Sequence, residues 1–101
     1  MVNEKELQKF INADLRKLGI YFYHLESGAK HRSINPKKGI ADLGIMIHGS
    51  IVFVELKSPG KKLKPEQVDF QAWCVLNQYL FFVVKSELEW TSFKVAMKIN
   101  G

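Results

Sequence analysis

The sequence predicts an α/β fold, in the order helix, strand, strand, strand, helix, strand, helix. Three observations carry that expectation. Apolar residues recur at helical spacing from Leu7 to Leu18, short apolar runs flank Gly49-Ser50, and helix-capping signatures stand at Asn3 and Ser86.

Each element has its own local reason. Asn3 with Glu6 resembles a capping box, and Gly19 supplies the stop of the first helix. Leu7, Phe10, Ile11, Leu15 and Leu18 make one apolar stripe along it. Ile20 to Leu25 is aromatic and β-branched enough for a strand, and Ser27 to Lys38 is a polar, basic loop. Leu43 to His48 and Ile51 to Leu56 predict a hairpin, with Gly49-Ser50 as a type II′ turn. Ser58-Pro59-Gly60 ends its second strand, and Pro65 opens a second helix that runs to about Asn77. That helix carries Val68, Phe70, Trp73, Val75 and Leu76 nearly all round, so it is expected to be largely buried. Tyr79 to Lys85 is a continuous apolar run, expected as an interior strand, and Ser86 with Glu89 opens a last helix towards Ile99.

Bulk properties limit the function. A chain of 101 residues suits one domain spanning 1–101, and at 47% hydrophobic it is not a disordered chain. Its longest apolar runs are too short to cross a bilayer, and the polar N-terminus does not resemble a signal peptide. A single cysteine, Cys74, forms no internal disulfide, so the expected setting is intracellular. The net charge of +5 is concentrated between Lys30 and Lys64, where eight Lys or Arg stand against two acids. Two readings fit that excess: a positive surface facing phosphates, or a basic surface that is merely solvated.

The two acids of that segment are the informative ones. With Gly49 and Ser50 as the turn, Asp42 falls opposite Lys57 and Gly44 opposite Glu55. Side chains alternate along a strand, so Asp42, Glu55 and Lys57 share one face of an otherwise apolar hairpin. Two neighbouring carboxylates repel unless a cation sits between them. Lys57 can be that cation, giving a three-member ion network. Alternatively Asp42 and Glu55 bind Mg²⁺ or Mn²⁺, hard ions that take oxygen ligands, while Lys57 orients or deprotonates a water or holds phosphate charge.

Asp42 followed by Glu55-Leu56-Lys57 resembles the PD-(D/E)XK signature of restriction-endonuclease-like nucleases. The longer string is similar to the VRR-Nuc family: Gly39-x-x-Asp42, Val54-Glu55-Leu56-Lys57-x-Pro59-Gly60, Leu63-x-Pro65-x-Gln67. Ala41 stands where that signature usually has proline. The resemblance implies a mixed central sheet flanked by helices and a metal-dependent endonuclease acting on DNA. It assigns the metal to Asp42, Glu55, the backbone carbonyl of Leu56 and an acid of the first helix, for which Glu4 is the candidate. Some relatives have glutamate where Gln8 stands. Lys57 and Gln67 would be catalytic. The stand-alone members, from phages and bacteria, resemble four-way-junction resolvases that act as homodimers, with branched DNA as substrate. The dimer contact is expected from Phe81, Trp90 and Phe93.

Phosphate contacts are expected from Lys30, His31, Arg32, Lys37 and Lys38 in the basic loop, and from Lys61, Lys62 and Lys64 after the catalytic strand. His24, His31 and His48 are scattered, which argues against zinc, and Cys74 reads as inert core. Gln71 and Gln78 read as a solvent-facing seam, and Trp73 and Trp90 as core or interface. Two other functions fit the same residues: a catalytically inactive DNA-binding module, and a nicking or RNA-directed nuclease indifferent to substrate structure.

Overall fold

A computed structural model describes residues 3–25 and 39–99. Helix α1 (Glu4–Leu18) starts where Asn3 Oδ1 accepts the Glu6 N–H at 2.8 Å, and the Glu6 side chain reciprocates to the Asn3 N–H. Gly19, in the left-handed region at φ 73°, closes it. The remaining elements are β1 (Phe22–His24), β2 (Leu43–Ile47), β3 (Ser50–Leu56), α2 (Pro65–Leu76), β4 (Phe81–Val84) and α3 (Glu87–Ala96). The expected α/β order is the observed one. Ser86 caps α3 by accepting the Glu89 N–H, but the Glu89 carboxylate reaches back to the Lys85 N–H instead of to Ser86.

The four strands form one mixed sheet in the order β1-β2-β3-β4. β1, β2 and β3 are antiparallel neighbours, and β4 lies parallel to β3, with α2 as the crossover that a parallel pair requires. The hairpin differs from expectation. Ile47 pairs with Ser50 and Leu43 with Val54, so the turn is His48-Gly49, not Gly49-Ser50. Both residues have positive φ, 54° and 74°, the type I′ geometry whose twist matches that of the strands. Histidine tolerates this region better than most residues, and His48 Nε2 donates to the Met97 carbonyl at 2.6 Å, tying the hairpin tip to the end of α3. The pairing therefore moves by two residues, which brings Asp42 across from Glu55 instead of Lys57. A shift of two preserves side-chain parity, so Asp42, Glu55 and Lys57 still belong to one face.

The two faces of the sheet are covered differently. On one, Leu43, Ile45, Val52, Val54 and Leu56 pack against Leu7, Ile11 and Leu15 of α1 and Trp90 and Phe93 of α3. On the other, Phe53 packs with Ala41 and Cys74, supported by Phe70 and Phe81. Three expectations are corrected here. α2 buries only Gln67 and Cys74, because one helix over a sheet can hide one stripe, and Val68, Trp73, Val75 and Leu76 stay exposed. β4 is an edge strand, not an interior one. Trp90 and Phe93 lie in the core and have no surface to offer a partner subunit.

One polar tie crosses the larger core. The Trp90 indole N–H donates to Asp14 Oδ2 at 2.8 Å, and the Lys94 ammonium donates to the same oxygen at 2.7 Å. Burial works against the Asp14 charge, but the hydrogen bonds from Lys94 and Trp90 outweigh it and hold the carboxyl below its ordinary value of 3.8. A depressed carboxyl pKa contributes stability above the unfolded value, and that contribution is lost as pH falls through the folded one. Asp14→Asn should thus lower stability at pH 7 by about 1 kcal/mol. Thermal melts of both proteins should converge as pH drops below 3.8.

Candidate active site

The site is assembled from the residues that the secondary structure brings to one end of the sheet. β3 ends in Glu55-Leu56 and Lys57 follows directly, with Glu55 and Lys57 on the face that α2 covers. Asp42 stands at the start of β2, next to them. Its Oδ2 accepts the Leu56 N–H at 2.8 Å, and its carboxyl hydrogen-bonds that of Glu55. The pair of acids expected to share a face does so, in direct contact.

Among the described residues, the buried polar and charged side chains are Glu55, Lys57 and Gln67. All three meet at one point. Gln67 Nε2 donates to Glu55 Oε2 at 2.8 Å, and Lys57 Nζ lies 4.0 Å from the same oxygen. The orientation of the Gln67 amide follows from its place in α2. Its Oε1 accepts the Lys64 N–H at the helix start, so its NH₂ is the group left for Glu55. Gly39 lets this happen. With φ at 94°, it lies so close to the first turn of α2 that a Cβ would collide with the Glu66 carbonyl. Any side chain there would lever Gln67 away from Glu55.

Helix α1 closes the other side. Ser58 Oγ donates to Glu4 Oε2 at 3.3 Å, and the Glu4 charge is near enough to act on Asp42. One turn further, Gln8 Nε2 lies 2.6 Å from His24 Nδ1, which accepts from it. Burial, then the Arg16 charge, lower the His24 pKa below its ordinary value, with Asp42 pulling the other way. Ser58 and His24 were not singled out from the sequence as site residues. His24 gains meaning only from the pairing of β1 with β2, which sets it beside Leu43 on the α1 face, where the Asp42 charge still reaches it.

Other expected positions are less gathered. Lys61, Lys62 and Lys64 are exposed beyond the end of β3. Lys30, His31, Arg32, Lys37 and Lys38 lie outside the described residues. No three His, Cys, Asp or Glu side chains among the described residues form a ready-made metal cage. Asp42 and Glu55 are thus a two-carboxylate donor set, with Glu4 occupied by Ser58.

The electrostatics of Asp42 carry a stability consequence. Burial raises its pKa above the ordinary 3.8, Glu4 adds to the rise, and the bonds from Leu56 and with Glu55 offset only part of it. A carboxyl whose folded pKa is raised costs stability once pH exceeds the unfolded value, because folding then disfavours the charged form. Asp42→Asn keeps an acceptor for the Leu56 N–H and removes that charge. In metal-free buffer at pH 7 it should melt higher than the wild type, with the gain vanishing below pH 3.8. A lower melting temperature at pH 7 would contradict this account of the site.

No protein-family profile matches the chain. Over 70 residues, 67% of this chain and 67% of the other, it is 30% identical to "Putative nuclease p44" of Acyrthosiphon pisum secondary endosymbiont phage 1. No described helix is long and apolar enough to cross a membrane. The shared length and identity show that the chain belongs to the same nuclease family as that phage protein.

Proposed function

We propose that the protein is a metal-dependent endonuclease that hydrolyses DNA phosphodiester bonds at Asp42, Glu55, Lys57 and Gln67, in the manner of PD-(D/E)XK enzymes of the VRR-Nuc type. The observation that carries this reading is the convergence of Glu55, Lys57 and Gln67, all buried, beside Asp42. Burying charge costs several kcal/mol per ion unless it is met by partners. A Lys57–Glu55 separation of 4.0 Å is too loose to repay that cost by ion pairing alone. A site built for an incoming cation and phosphate explains why the residues are kept there.

The donor set fits a hard divalent ion. Asp42 and Glu55 offer carboxylate oxygens, the Leu56 carbonyl is the third ligand of this reading, and Glu4 acts through the water shell. Two carboxylates with backbone and water suit Mg²⁺ or Mn²⁺, whereas zinc would call for histidine or thiolate ligands. Bound there, the ion supplies charge neutralisation at the scissile phosphate and a more acidic water. The chain's own groups do the rest. Lys57 places its ammonium where it can orient the attacking water or hold charge developing on the phosphate. Gln67 fixes Glu55 through its amide, and Leu56 fixes Asp42 through its N–H, so neither carboxylate has to reorganise. Lys61, Lys62 and Lys64 follow directly and can track the phosphate backbone.

Branched DNA, with four-way junctions as the leading form, is the substrate that the resemblance favours, and a homodimer is the matching assembly. Two sites related by a two-fold axis cut two symmetric strands. The exposed Trp73, Leu76 and Leu80 give such a dimer an apolar contact in place of the buried Trp90 and Phe93.

Two substitutions test the catalytic reading. Asp42→Asn should abolish cleavage of branched DNA and weaken calorimetric Mn²⁺ binding together. Lys57→Ala should abolish cleavage, by a factor of about 100 or more, while Mn²⁺ binds at least as well as in the wild type. Circular dichroism first establishes that both are folded. Cleavage surviving either change would refute the assignment, and equal loss of Mn²⁺ binding in both would favour a purely structural ion network.

A further inference from the structure

Among the described residues, α2 covers the β3 and β4 side of the face that carries the site, through Phe70 and Cys74 against Phe53 and Phe81. Exposure rises on the β1 and β2 side. There Tyr21 is 80% exposed, Tyr23 61% and Met46 41%. Side-chain alternation puts Tyr21, Tyr23 and Leu25 on this face. The register sets Tyr23 beside Gly44, and Gly44 beside Phe53. The Met46 N–H donates to the Tyr21 carbonyl and extends the ladder one residue before β1. At the other end the Leu25 N–H donates to the Asp42 carbonyl at 2.8 Å, so Leu25 belongs to the row of Asp42 and Glu55. Tyr23 is two residues from that row, about 7 Å along the strand.

We propose that Tyr21 and Tyr23 form a stacking platform for unpaired nucleobases of the DNA strand that is cut at Asp42 and Glu55. This rests on the nuclease reading above and adds to it a preference for substrates with unpaired bases near the cut. The chemistry of the two rings fits such a ligand. Among the described residues neither ring packs on another aromatic, in contrast to Trp73 and Tyr79, which stack on each other at 5.6 Å. Tyrosine offers a flat π surface whose edge tolerates water, and bases stack on it whatever their identity. Rings at alternate residues of a strand stand about 7 Å apart, close to twice the 3.4 Å separation of stacked bases, so one base fits between them. Over Gly44, which has no side chain of its own, the Ile51 and Leu25 side chains close in and floor the sheet beside Tyr23 with apolar surface. The tyrosines and the carboxylates share one face with Leu25 between them, so a strand with its phosphate at Asp42 can lay its next bases past Leu25 onto Tyr23.

The test is binding in the absence of divalent metal, which keeps the DNA intact. Fluorescence anisotropy compares a blunt duplex with the same duplex carrying an unpaired thymine flap. Tyr23→Ala should weaken flap binding roughly five- to a hundredfold and change blunt-duplex binding by less than about twofold, because phosphate contacts remain. Tyr23→Phe should restore flap binding, since stacking needs the ring and not the hydroxyl. A 2-aminopurine in the flap should be quenched by the wild type and by Tyr23→Phe, but not by the Tyr21→Ala/Tyr23→Ala double variant. Both tyrosines are exposed, so the variants should fold, which circular dichroism verifies. Equal losses on flap and blunt duplex, or no loss on either, would overturn the platform. So would unchanged affinity with a smaller sedimentation coefficient, which would make this surface a contact between copies of the chain. A wild type that cleaves DNA while the variants bind as it does refutes the platform alone. A wild type that neither binds nor cleaves any DNA refutes the nuclease reading with it.

Discussion

Glu55 is the penultimate residue of β3, and it is 2% exposed. A carboxylate cannot be held there without partners, and the surrounding architecture consists of the groups that meet it. Gln67 donates from the first turn of α2, Lys57 brings a positive charge from two residues further along the chain, and Asp42 lies alongside just before β2. Each partner is in turn held by backbone: the Lys64 N–H for Gln67, the Leu56 N–H for Asp42. Polar networks of this kind are worth their cost only when every member is satisfied, which is why the supporting residues matter as much as the acids. Gly39 belongs to that support because it has no side chain, which lets the chain pass against the Glu66 carbonyl in the first turn of α2.

The rest of the fold can be understood as a platform for that end of β3. The face packed by α1 and α3 is mostly apolar, with Trp90 in the core and tied through its indole N–H to the Asp14–Lys94 pair. That face supplies most of the buried apolar surface. The face under α2 is thinner, has fewer buried apolar residues and carries the charges. Stability and chemistry are thereby separated across one sheet. The separation lets Asp42 sit in a state that disfavours its own charge, a cost that the opposite core absorbs.

Family membership and geometry support one another at different levels. The phage relative speaks for a nuclease, and the geometry gathers two acids, a buried lysine and a buried glutamine at one end of the sheet, the residues on which the proposed chemistry rests. Tyr21 and Tyr23, exposed on the same face as the acids, are the part of the surface on which the proposed preference for unpaired bases rests.

Local rules were enough to read much of this protein from its sequence. The caps at Asn3, Gly19 and Ser86, Pro65 at the head of α2, and the order of the seven elements depend on neighbouring residues, whose preferences act over a few positions. The shared face of Asp42, Glu55 and Lys57 was also legible, since parity along a strand survives an error of two residues in register. The register itself was not. His48 accepting a left-handed conformation is a tertiary decision, backed by its bond to Met97 at the far end of the chain. Nor could apolar content tell which elements would be covered. The runs in α2 and β4 resemble buried segments, yet only one helix packs on that side and β4 ends the sheet, so both keep exposed apolar surface. The contributions of Ser58, His24 and Tyr23 were hidden for the same reason. Each depends on which strands and helices become neighbours, and that is decided by packing between segments far apart in sequence.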